Sequence, residues 1–229
     1  MGSIIEGIKG AIELLASFDG EVYEIIGLSM LVSVSAVIIA SIIAIPAGIV
    51  LGIKTFPMKK IVIRIIYTMM SVPPVIVGLV IFLLISRRGP LGVLGIAYTP
   101  IAMVIAQIFL VIPIVTGIVY NSTREKGAEV KALAQTLGAN NLQTLVLLIK
   151  ELRINILTAI VTGYGRAISE VGAVMIVGGN IKGSTRVMTT SIAMLRNMGD
   201  YETAIALGVV LLSISFVINM VLYKFQQEA

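Results

Sequence analysis

Residues 100–120 read PIAMVIAQIFLVIPIVTGIVY, an unalternating apolar run with no charged side chain. A helix crossing the hydrocarbon of a bilayer needs about 20 such residues. In lipid only helices or closed barrels satisfy every backbone polar group, and a barrel strand would alternate. The run is therefore read as a membrane-spanning helix. Outward from it the same reading recurs at Ile25–Ile53, Ile61–Ser86, Ile154–Val177 and Thr203–Tyr223, which gives five expected spans. The composition agrees: mean hydropathy is +1.05, with 58% hydrophobic and 13% charged residues among 229. A soluble domain carries about 25% charged residues. The fold class expected is an all-α membrane protein.

The first 22 residues differ in kind. Glu6, Lys9, Glu13, Asp19 and Glu21 fall among Ile4, Ile5, Ile8, Ile12 and Leu15, the pattern of an amphipathic helix at an interface. Without a basic start or a small-residue cleavage site it does not read as a cleaved signal peptide. The expected organisation is that helix over residues 1–22 and one transmembrane domain over 23–229.

Basic residues alternate from one connection to the next. Lys54, Lys59, Lys60, Arg64, Arg124, Lys126, Lys131, Lys150, Arg153 and Lys224 lie on one side, and Lys9, Arg87, Arg88, Lys182, Arg186 and Arg196 on the other. The positive-inside rule puts the first set in the cytoplasm, with the amino terminus outside and the carboxyl terminus inside. The net charge of +5 is thus spread between apolar segments, and no stripe for nucleic acid forms. Pro46, Pro73 with Pro74, and Pro113 are expected to interrupt three of the spans.

Histidine, cysteine and tryptophan are absent. That removes disulfides, imidazole or thiolate metal sites, and triads that need histidine. A phosphate-binding G-x-x-x-x-G-K-[ST] loop is also missing, so no catalytic residue, cofactor or metal site is expected in this chain.

The long polar connection, about residues 121–153, has helical periodicity. Val130, Leu133, Ala134 and Leu137 recur at i, i+3, i+4 and i+7, and Leu142, Leu145, Val146 and Ile149 repeat the spacing after Gly138. Gly138 suits a carboxyl-terminal cap, and Asn140 or Asn141 an amino-terminal one. Two short helices joined by a glycine turn are expected.

Lys131-Ala-Leu-Ala-Gln-Thr-Leu-Gly-Ala-Asn-Asn-Leu-Gln-Thr-Leu resembles the EAA loop of ABC importer permeases, which docks into a groove of the ATPase subunit. The Glu-Ala-Ala positions hold Ala132, Leu133 and Ala134, the glycine is Gly138, and the Ile-x-Leu-Pro positions hold Leu148, Ile149, Lys150 and Glu151. The resemblance implies an ATPase-coupling role for Ala132, Leu133, Ala134, Leu137, Gly138, Ala139, Asn140, Leu142 and Leu145. Two further stretches narrow the family. Ser71-Val-Pro-Pro-Val-Ile-Val-Gly-Leu with Arg87-Arg-Gly-Pro-Leu-Gly resembles the second span of molybdate, tungstate and sulfate permeases. Arg166-Ala-Ile-Ser-Glu-Val-Gly-Ala-Val-Met-Ile-Val-Gly-Gly-Asn is similar to their fourth-span signature, and most similar to tungstate-type members. The implied assembly is two copies of this chain in membrane lipid, two ATP-binding cassette subunits, and an extracytoplasmic oxyanion-binding protein. The implied fold is that of a type I ABC importer permease, and the alternative is a secondary transporter or channel for a small anion.

Candidate residues of a translocation path are Ser71, Pro73 and Pro74 in the second-span match and Arg166, Ser169, Glu170 and Asn180 in the fourth. Arg166 and Glu170 stand at i and i+4 and share a face if the helix is continuous. Arg166 could lend positive potential to an anion path. Pairing with Glu170 would instead fix helix packing, since a paired arginine offers an anion little net field.

Overall fold

The computed structural model describes residues 9, 10, 12, 13, 16 and 20–228. The amphipathic helix expected over residues 1–22 falls largely outside them. Among the described residues the elements are helical: α1 (Gly20–Ile53), α2 (Lys59–Met70), α3 (Pro74–Ile85), a 3-10 turn (Gly92–Leu94), α4 (Pro100–Thr136), α5 (Asn141–Glu151), α6 (Arg153–Ile168), α7 (Gly172–Gly178), α8 (Met188–Met198) and α9 (Tyr201–Glu228). Three helices, α1, α4 and α9, are long and apolar enough to cross a membrane alone. If the bent pairs α2/α3 and α6/α7 each count as one span, the number is five.

Helices α1 and α4 make the most extensive contact in the molecule. Lipid tails are as apolar as leucine, so this pairing cannot rest on a hydrophobic difference; it needs close backbone approach. The sequence supplies it with Ala36, Ala40, Ala44 and Gly48, a small residue at every fourth position, all buried. Opposite them on α4 lie Val111, Val115 and Val119 at the same spacing, each fully buried. At Gly48 a Cβ would stand 2.8 Å from that of Val119 and 2.9 Å from the Thr116 carbonyl oxygen, so only glycine fits the seam there. The same core takes in Leu148 and Leu152 around the α5–α6 joint and Ile156 and Ala159 of α6. A second core joins Val32 to α3, α4 and α7 through Ile81, Met103 and Val174. A third packs Ile25 and Met188 on Ala206 and Val210 of α9.

The prolines differ in what they do to the helices. α1 runs unbroken through Pro46 and α4 through Pro113. Within a packed bundle, neighbouring helices and local adjustment accommodate the freed carbonyl. Only Pro73–Pro74 ends a helix. The first short helix expected in the polar connection is also not separate: it is the end of α4, which continues through Arg124, Lys126 and Lys131 to Thr136. Nothing between Pro113 and Gly138 breaks it, because the charged residues there are good helix formers.

Candidate functional site

α2 and α3 meet at 102° across Ser71-Val72-Pro73. A residue before proline is pushed out of the α region, so Val72 and Pro73 cannot both continue α2. Pro74 then occupies the first turn of α3, where its missing N–H costs nothing. Ser71 caps α2 with its N–H on the Thr68 and Met69 carbonyls. Its side chain and that of Pro73 are exposed, and Pro74 is half-buried.

α6 and α7 meet at 58° across Ser169-Glu170-Val171. Glu170 is therefore in the break, just past the end of α6, and its carboxylate still reaches Arg166 as the i, i+4 spacing suggests. Backbone groups freed inside a membrane must find partners in the protein. Here the Gly165 and Ala167 carbonyls still accept from the Ser169 and Glu170 N–H groups at 3.3 Å, and side chains add further bonds. Ser169 Oγ donates to the Gly165 carbonyl at 2.8 Å. Gln107 Nε2, reaching across from α4, donates to the Ala167 carbonyl at 3.0 Å. Thr189 Oγ1 of α8 donates to the Glu170 carbonyl at 2.9 Å. Glu170 Oε1 in turn accepts from the Ala173 N–H at 3.0 Å, at the start of α7. Its other oxygen lies 3.9 Å from Arg166 Nη2, a looser contact. The Glu170 side chain is 6% exposed and that of Arg166 36%. The carboxylate is thus first a cap for α7 and second a partner for Arg166.

The two breaks lie side by side. At Gly172 a Cβ would stand 2.6 Å from Val75 Cγ2, and one at Gly78 would meet Ala173 in the same way, so α3 and α7 approach through glycine on both sides. A cavity bordered by Ser33, Gln107 and Glu170 holds only about 10 Å³, room for a single water. The buried cluster is therefore a brace and not an oxyanion-binding chamber. Arg166 and the exposed Ser169 remain at its edge. Asn180 is set apart, in a left-handed turn after α7 with its amide on Met194 Sδ at 3.5 Å. Among the described residues no group of three His, Cys, Asp or Glu could hold a metal.

Gln107 and Thr189 escaped the sequence reading. Gln107 is the one amide within residues 100–120, and an isolated polar residue in such a run signals an interhelical hydrogen bond. Thr189 and Ser29, whose Oγ accepts the Met188 N–H at 2.8 Å, carry no comparable signal.

At the opposite end of α4 the chain turns through Gly138, whose φ is +78°. Asn140 then caps α5 reciprocally: its Oδ1 accepts from the Gln143 N–H and the Gln143 side chain accepts from the Asn140 N–H, both at 2.8 Å. This capping box fixes the start of α5. The apolar residues of the two helices divide between two faces. Ala134 and Leu148 are buried, and Val130 and Leu145 pack against the core. Ala134 therefore does not belong to a presented stripe, and Leu145 is only partly presented, beside Leu142. Exposed instead are Leu133 (59%), Leu137 (78%), Leu142 (70%) and Val146 (45%). Ala132 and Asn140 are exposed beside them and Ala139 is half-buried. The result is an apolar corner around a glycine turn.

Comparison with known proteins adds three findings. The family described as "Binding-protein-dependent transport system inner membrane component" matches residues 44–228. The chain is 54% identical to the "Tungstate uptake system permease protein TupB" of Peptoclostridium acidaminophilum, over 100% of both chains. It is 36% identical to the protein of that name from Campylobacter jejuni, over 98% of this chain and 94% of the other. It is 33% identical to the "Sulfate transport system permease protein CysW" of Synechococcus elongatus, over 80% and 66%.

Proposed function

The chain belongs to the binding-protein-dependent transport system inner membrane components, and from that premise we propose that it is the membrane-spanning permease of an ATP-driven tungstate importer. Molybdate and sulfate are the neighbouring chemistries. The observation that carries the substrate is the 54% identity with a tungstate uptake permease over the full length of both chains. Membership of this family also removes the reason for keeping a secondary transporter as the alternative.

Two copies surround the passage, two ATP-binding cassette subunits hydrolyse ATP on the cytoplasmic side, and an extracytoplasmic protein delivers the anion. The exposed corner of Leu133, Leu137, Leu142 and Val146 docks on the cassette subunit. Burying each leucine in a groove contributes about 1.5–3 kcal/mol. A water-exposed corner of this kind gains from a partner what the buried faces of the same helices already have.

The orientation has support from the fold. Glu21 at the start of α1 pairs with Lys182 at 2.6 Å and Arg186 at 3.5 Å. The start of α1 and the loop before α8 therefore share one end of the bundle. Five crossings then leave the end of α9 on the opposite side, with the Gly138 corner. The anion passes the two breaks, where Ser71, Ser169 and Arg166 reach the surface. An ion that bound hard there would not leave, so a single tempered cation suits passage.

Two measurements on the intact protein test this reading. A reporter fused after Glu228 is expected in the cytoplasm and one inserted near Gly183 outside; finding both on one side ends the five-span orientation. Affinity purification of the tagged chain is expected to bring a nucleotide-binding subunit with it. A chain that purifies alone under mild detergent would remove the importer assignment.

A further inference from the structure

We infer that this subunit carries a site for the phosphate headgroup of an anionic phospholipid, at the end of the bundle where α2 begins. The site is an open pocket of about 890 Å³ between α2 and α4, bordered by Lys59, Lys60, Arg64, Arg124 and Tyr120. Lys60 and Arg64 lie one turn apart on α2, as do Tyr120 and Arg124 on α4. Lys59 is anchored as the pocket's inner wall: its Nζ donates to the Lys54 carbonyl at 2.8 Å and lies 5.9 Å from the centre of the buried Tyr120 ring. Lys60, Arg64 and Arg124 are exposed. None of the ion pairs among the described residues involves these cations, and no carboxylate borders the pocket. Like charges one helical turn apart repel. An arrangement that gathers four of them without a counter-charge is offset by an anion from outside the chain.

Depth and shape select the kind of anion. From Pro100 to Tyr120, α4 rises about 30 Å at 1.5 Å per residue, which is the hydrocarbon thickness. Arg124, one turn further, therefore stands at headgroup level. Polybasic pockets at that depth attract anionic lipid at about 1 kcal/mol per cation. The pocket also has apolar walls from Phe56, Ile61 and Ile63, and Ile61 and Ile65 are 47% and 53% exposed on α2. A free tetrahedral oxyanion would leave most of that volume and all of those walls without a partner. A phospholipid fills both, with its phosphate among the cations and its chains along α2. The N–H groups of the first turn of α2, which has no side-chain cap, add to the positive field.

The test uses the purified full-length chain in detergent, titrated with phosphatidylglycerol and with phosphatidylcholine and read by native mass spectrometry. Phosphatidylglycerol is expected to bind preferentially. The variant Lys60→Gln, Arg64→Gln, Arg124→Gln is expected to lose that preference by about a hundredfold, at about fivefold per cation, with thermal unfolding of the lipid-free protein unchanged because all three side chains are exposed. Arg87→Gln with Arg88→Gln, at the other end of the bundle, is expected to keep it. Equal binding of the two lipids by the native chain overturns the proposal. So does displacement of phosphatidylglycerol by 1 mM tungstate or inorganic phosphate, which would make this a free-anion site. Retained phosphatidylglycerol binding in the triple variant, with loss of a copurifying cassette subunit, also overturns it and reassigns the face to protein contact.

Discussion

Gly138→Val is expected to leave the chain inserted and folded while the cassette subunit no longer copurifies with it at native levels. Gly138 has φ +78°, and nothing lies within 4 Å of where its Cβ would be. A side chain there meets no obstacle, so the whole penalty is conformational. The left-handed region costs an ordinary residue about 1–2 kcal/mol, and a β-branched residue there is a genuine outlier. Free of its partner, the turn can relax to another conformation. In the proposed assembly docking requires the original one, because Leu133 on α4 and Leu137 at its end would meet the same groove as Leu142 and Val146 on α5. The strain therefore appears in the docking equilibrium, as about a five- to thirtyfold loss of affinity. Stimulation of ATP hydrolysis by loaded binding protein should fall with it. Gly138→Asn is the control, since asparagine tolerates the left-handed region and should retain most docking. If valine docked as well as asparagine, the turn conformation would be irrelevant to coupling.

Glu170→Leu is expected to lower stability by about 2–3 kcal/mol, and Glu170→Gln by less than about 1. Leucine leaves the buried Ala173 N–H without its acceptor, at a cost of about 1–3 kcal/mol, and like glutamine it gives up the 3.9 Å contact with Arg166. Glutamine keeps an oxygen for Ala173 and gives up only the 3.9 Å contact with Arg166, which is one-third exposed. Gln107→Leu should fall between them, near the 0.6–1.7 kcal/mol measured for interhelical hydrogen bonds in membrane bundles. Thermal unfolding in detergent, referred to the native chain, reads all three. A Glu170→Gln variant as unstable as Glu170→Leu would mean that the ion pair and not the α7 cap holds the break.

The two bent helix pairs show what the sequence makes legible and what it hides. At Pro73–Pro74 the covalent chemistry of two rings dictates the break, and it can be read residue by residue. At Ser169–Val171 no proline marks the break, and Gly172 just after it reads as one more small packing residue, so Arg166 and Glu170 looked like neighbours one turn apart on a single helix. That break is braced by Gln107, Thr189 and Ser169, whose side chains bond to the carbonyls around it, and two of these come from elements distant in the chain. Local pattern holds no record of such partners. Pro46 and Pro113 make the converse point: a local breaker was present, and the packed seam between α1 and α4 overrode it. The corner at Gly138 was legible as a turn, because a positive-φ glycine followed by a capping asparagine is local chemistry. Which leucines faced outward was not, since periodicity gives a stripe but not the side the core takes. Leu145 packed in part against the core, and Leu137 stayed outside.

The central claim is that this chain moves an oxyanion only when a separate subunit hydrolyses ATP. It is tested most directly in sealed vesicles reconstituted with the chain and its cassette subunit, with ATP enclosed and tungstate-loaded binding protein outside, by measuring tungstate in the lumen. The expected result is accumulation that requires hydrolysable ATP, stops with a non-hydrolysable analogue, and falls when Gly138→Val replaces the native chain. Accumulation at the same rate without ATP, driven by an ion gradient, would contradict the account.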